Sequence, residues 1–170
     1  FRGISSLKAA YIYLNKISTL PEGVFQGLSS LQILYLNNNQ LSTLPEGLFQ
    51  GLSSLWTLGL MENQLSELPE GIFQGLTSLK GLVLRRNQLS VLPKKVFHNL
   101  PSLKVIFLQE NQLSVLADGM FQKLPSIDMV NLQHNQLQEI GENVFSPQFF
   151  SSTAFVDLIG NPISEGTKKA

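Results

Sequence analysis

Residues Leu31 to Ser54 read LQILYLNNNQLSTLPEGLFQGLSS, and the next 24 residues, Leu55 to Ser78, read LWTLGLMENQLSELPEGIFQGLTS. The same frame returns from Leu79, Leu103 and Ile127 and, upstream, from Leu7. Numbering each frame from 1 to 24, apolar residues hold positions 1, 4, 6 and 11, Asn holds 9, and the second half follows LPxGxFxxL. A fixed period of this length reads as a stack of coils, each packed only against its neighbours.

The columns of that stack sort core from surface. Positions 4 and 6 (Leu34 and Leu36, Leu58 and Leu60, Leu82 and Leu84) alternate as a strand does, so both are expected to point inward. Position 9 is Asn15, Asn39, Asn63, Asn87, Asn111, Asn135 and Asn161. An amide offers donors and an acceptor, so this column is expected to satisfy backbone groups exposed by the turn. Phe1, Phe25, Phe49, Phe73, Phe97, Phe121 and Phe145 are expected to form a buried spine on the outer side. Proline at 21, 45, 69 and 93 bars a regular helix there, and Gly23, Gly47, Gly71 and Gly119 are expected at positive φ. The last coil carries two extra residues within SPQFF before TAFVDLIGNPIS restores the frame.

Twelve basic and twelve acidic residues cancel, which argues against a polyanion or an anionic membrane as partner. No apolar run reaches bilayer length. Without cysteine there is no disulfide, thiolate metal site or cysteine nucleophile. That absence, with the lack of any Asn-x-Ser/Thr sequon, fits a cytoplasmic protein slightly better than a secreted one.

The pattern LxxLxLxxNxLxxLPxGxFxxLxx resembles the typical class of leucine-rich repeats. Within it, LYLNNNQLSTLPEGLFQGLSSL is similar to the variable lymphocyte receptors, as a divergent relative without cysteine-rich caps; LIGNPIS resembles the opening of their C-terminal cap, with Ile163 where they have Trp. The resemblance implies an α/β right-handed solenoid, curved, with a parallel inner sheet of about seven strands and an irregular or 3-10 outer side. It further implies a secreted or cell-surface recognition module of the immune-receptor type, binding a protein antigen or a microbial glycan or cell-wall component on the concave face. An extracellular-matrix or adhesion module, or an intracellular scaffold, is the alternative. The expected organisation is a single domain over residues 1–170: a partial coil 1–6, coils from 7, 31, 55, 79, 103 and 127, and a C-terminal capping coil 153–170. The uncapped start at Phe1, Ile4 and Leu7 invites pairing of two copies end to end.

Enzyme chemistry finds no constellation. His98 falls at position 20 and His134 at position 8, too far apart to share a metal or a proton. Ser18, Ser42, Ser66, Ser90 and Ser114 recur as repeat positions without a base in register. No cofactor, metal, nucleic acid or membrane insertion is expected.

With positions 4 and 6 inward, positions 3, 5 and 7 face out of the sheet and 2 and 8 flank it. These columns change from coil to coil while the core columns hardly vary, and all three Tyr and the only Trp fall on them. Tyr, Trp, Met and Arg are enriched at interfaces. The expected binding residues are Tyr11, Tyr13, Tyr35, Asn37, Trp56, Thr57, Met61, Glu62, Val83, Arg85, Phe107, Gln109 and Glu110. Glu62, Arg86 and Glu110 are expected to form an alternating-charge ladder, and Gly59 with Gly81 to leave a shallow dent rimmed by Tyr35, Trp56, Thr57, Met61, Val83, Arg85, Val105 and Phe107.

Overall fold

Seven three-residue strands form one parallel sheet in a computed structural model that describes residues 1 and 3–164. They are β1 (Ala9–Tyr11), β2 (Ile33–Tyr35), β3 (Thr57–Gly59), β4 (Gly81–Val83), β5 (Val105–Phe107), β6 (Met129–Asn131) and β7 (Phe155–Asp157), paired in chain order. Register follows the period: Leu34 pairs with Leu58 and Leu58 with Leu82, so equal positions stack coil upon coil. The chain is thus a solenoid of about six turns with little helix, as the spacing predicts. The expected tail SEGTKKA lies, from residue 165, outside the described residues.

Positions 1, 4, 6 and 11 are buried in every central coil, Leu55, Leu58, Leu60 and Leu65 to 0% exposure. On the opposite side the Phe rings stack as expected, with centroids 6.3, 6.4 and 6.3 Å apart from Phe25 to Phe97 and planes within 15° of parallel. Strands lie only about 4.8 Å apart. The wider advance at the rings bends the stack toward the sheet. The ring spacing closes to 5.6 and then 5.0 Å at Phe121 and Phe145, so the bend relaxes toward the last coils.

The Asn column does what its chemistry requires. Asn87 Nδ2 donates to Leu84 O in its own coil and to Leu60 O in the coil before, both at 3.0 Å, while its Oδ1 accepts from Leu65 N–H at 3.0 Å. Asn63, Asn111 and Asn135 repeat this set. Three backbone groups per turn are satisfied by one buried amide, which is why no other side chain stands there.

Three features depart from the expectations. The two extra residues of the last coil become a short helix, α1 (Pro147–Ser151), the only one among the described residues; Ser146 caps it, accepting from Phe149 N–H at 3.2 Å. Gly23, Gly47 and Gly119 take φ of 73°, 72° and 81°, but Gly71 is not in the left-handed region, nor is Lys95 at the same position of the next coil, where a lysine is accordingly admitted. Left-handed backbone recurs instead at position 21, in Gly27, Gly51, Gly75 and Asn99, and at position 8.

Candidate interaction face

The sheet places the variable columns side by side. Position 5 runs Tyr11, Tyr35, Gly59, Val83 and Phe107 across β1 to β5. Thr57 sits at position 3 of β3, and Tyr13, Asn37, Met61, Arg85 and Gln109 follow their strands at position 7. All but Gly59, which is buried, are exposed or half-buried, so the expected residues do share one surface.

Within that surface they divide into groups. At one end Tyr11 packs on Tyr35 with centroids 5.5 Å apart and edge-on to Tyr13 at 6.4 Å. Tyr11 is 59% and Tyr13 47% exposed, which leaves an aromatic patch open to solvent. Trp56 stands apart from it, on the position-2 edge, 45% exposed, with Lys80 Nζ 5.2 Å from its ring centroid. The sequence signals that cation–π contact only through a lysine at position 2 of the coil next to Trp56.

The expected dent at Gly59 is filled. Asn37 lies across it, its Oδ1 accepting from Met61 N–H at 3.1 Å. A Cβ on Gly59 would stand 2.5 Å from that oxygen and 2.9 Å from Tyr35 Cδ1, so glycine is required there to seat Asn37 and Tyr35. At Gly81 the neighbours are in ordinary contact range, Val105 Cγ2 at 3.6 Å and Thr57 Cγ2 at 3.9 Å. Asn37 is therefore tied to the framework, and the face is smoother than a dent.

On the position-8 edge the charge ladder is in place. Arg86 donates from Nε to Glu110 at 2.8 Å and from Nη1 to Glu62 at 3.2 Å, and Asn38 Nδ2 donates to Glu62 Oε2 at 2.5 Å. The hydrogen bond to Glu110, then that to Glu62, hold the Arg86 guanidinium above its ordinary pKa. Being surface-exposed, the ladder adds little stability. Its backbone is unusual: Glu62, Arg86 and Glu110 have φ of 54°, 54° and 58°. Between the edges, Arg85 Nε and Gln109 Oε1 on adjacent coils have no hydrogen-bond partner and are shielded from water.

His98 is half-buried on the outer side and His134 exposed on the position-8 edge, on different columns of the fold. Among the described residues no three or more of His, Cys, Asp and Glu gather as a metal site, and no helix is long and apolar enough to cross a membrane.

Comparison with known proteins fits this geometry. Residues 5–65, 57–113, 77–137 and 101–147 match the family model described as Leucine rich repeat. The chain belongs to the leucine-rich repeat family. Two similar solved structures are the leucine-rich repeat domain of APL1 and the TLR13–ssRNA13 complex. The first superposes with a TM-score of 0.78 over 94% of this chain and 40% of its own, at 23% identity, a likeness of fold alone. The second gives a TM-score of 0.75 over 85% of this chain, at 26% identity. The chain spans 20% of that second protein and so corresponds to a small part of it. No curated protein matches the chain significantly.

Proposed function

We propose that the chain is a recognition module of the immune-receptor type that binds a protein antigen or a microbial surface component through the sheet face, outside the cell. One observation carries this reading. Across six coils the buried columns keep to aliphatic residues, Asn and Phe, while the outward columns of the same strands vary in size, charge and polarity from coil to coil and gather the Tyr and Trp residues. A face that only had to be soluble would need no such concentration of rigid aromatic area. The resemblance to variable lymphocyte receptors supports the receptor type and the extracellular setting. The RNA of the TLR13 complex belongs to that protein; this chain, with its charges balanced, lacks the cationic excess a nucleic acid asks for.

The test is a binding screen of the purified chain against intact bacteria, purified cell-wall glycans and host proteins, followed by substitution on whatever is captured. Trp56→Ala or Phe107→Ala should weaken binding by about 2 kcal/mol or more, roughly thirtyfold. Gln50→Ala, on the outer side, should leave it unchanged. Equal losses on both sides, with the fold intact, would remove the sheet face from the reading.

A further inference from the structure

The two edges of the sheet face hold their charge differently. On the position-8 edge Arg86 is shared between Glu62 and Glu110, so those charges answer one another. On the position-2 edge Lys8, Lys80 and Lys104 are exposed, and among the described residues none makes an ion pair. The segments that build this edge, residues 5–9, 29–33, 53–57, 77–81 and 101–105, contain no Asp or Glu; the first acid is Asp128, one coil further on. Lys80 and Lys104 stand on neighbouring coils, about 4.8 Å apart at the backbone, and like charges so placed oppose each other. An anion between them removes that opposition. Beside them Trp56 offers an exposed ring already oriented by Lys80.

Resting on the sheet-face reading, we infer that the partner is a protein segment presenting carboxylates next to an apolar or aromatic side chain. The carboxylates accept from Lys80 and Lys104, and the apolar side chain packs on Trp56. The position-8 edge, where two carboxylates share one guanidinium, keeps an excess of negative charge and turns an acidic segment away. A nucleic acid fits less well: phosphate-dominated binding uses roughly six to ten contacts, and Arg86, a side chain suited to gripping phosphate, is occupied by carboxylates.

The test uses a phage-displayed random peptide library selected on the full immobilised chain at about 0.15 M salt. Selected clones should be enriched in Asp and Glu beside aromatic or aliphatic residues. Their affinity should fall about tenfold or more on the Lys80→Glu, Lys104→Glu double variant, mostly through slower association. It should not fall on the Glu62→Gln, Arg86→Gln, Glu110→Gln triple variant. Circular dichroism would verify that both variants fold. Clones without acidic excess that still need Trp56 and Phe107 would overturn this inference and leave the sheet face standing. Clones that bind Trp56→Ala and Phe107→Ala undiminished would overturn the sheet face itself. Displacement of the clones by single-stranded oligo(U), dependent on Lys80 and Lys104, would replace the acidic peptide by a nucleic acid.

Discussion

Positions 8 and 9 of each coil are bonded neighbours, and they obey opposite rules. Position 9 is Asn from the first coil to the last. Position 8 is Leu14, Asn38, Glu62, Arg86, Glu110 and His134, all with φ between 52° and 58°, then Gly160 at 76°. At position 9 three backbone groups depend on the side chain, so only one residue type serves. At position 8 the demand falls on the backbone. Its N–H must reach the position-7 carbonyl of the next coil, as Asn38 reaches Met61 O at 2.9 Å and Arg86 reaches Gln109 O at 3.0 Å. The side chain is left free to vary, although a left-handed backbone strains any residue but Gly, Asn or Asp. A requirement on a side chain shows as identity along a column. A requirement on the backbone alone leaves no such mark.

Substitution at the two positions can break this contrast. The largest effect should come from Asn87→Ala, which orphans Leu65 N–H and leaves Leu60 O and Leu84 O with one amide donor each, from Asn63 and Asn111; a loss of about 2 kcal/mol is expected in urea unfolding. A loss under about 1 kcal/mol would mean that water or a neighbouring group replaces the amide. Leu14→Asn should go the other way, since Leu14 is 72% exposed at φ 58° and Asn accepts that backbone; a gain of about 1 kcal/mol is expected. No gain would show that the ladder holds left-handed backbone without strain. Asn15→Ala sharpens the first test, because Asn15 is exposed and bonds only within its own coil, to Ile12 O and Tyr13 O. Its loss should stay near 0.5 kcal/mol. Smallest of all, Arg86→Gln should leave the unfolding midpoint unmoved, and adding salt to the parent chain should mimic it. A clear fall in midpoint would promote the ladder from decoration to framework.

Much of the fold was legible because the repeat states each requirement several times over. The strands, the Asn column, the Phe spine and the ladder of Glu62, Arg86 and Glu110 all follow from the 24-residue frame. What escaped were features set by backbone geometry or by a single pair. Leu, Glu and Arg at position 8 give no hint of positive φ, although Asn38 and Gly160 in the same column were a faint one. The insertion in SPQFF gave no sign of becoming α1, since five residues are too few to show a helical period. Gly59 suggests an opening because its own missing side chain is visible in the sequence, whereas Asn37 leaning over it is not. Position 2 reads as a flank in the sequence, yet among the described residues it carries three exposed lysines without carboxylate partners.

Each amide of the central coils reaches back by one coil, to a carbonyl 27 residues earlier and an N–H 22 residues earlier. In the last coil those separations widen to 29 and 24, and the two extra residues are absorbed in α1 without disturbing the bonds. In genetic terms the chain is a row of interchangeable cassettes. Recombination between equivalent points of any two coils adds or removes a whole repeat and still delivers every surviving Asn to the carbonyl it needs. Small insertions survive on the outer side, whereas one within the strand half would throw the ladder out of register. Such a gene can reshuffle the outward side chains of its product while the scaffold is inherited intact.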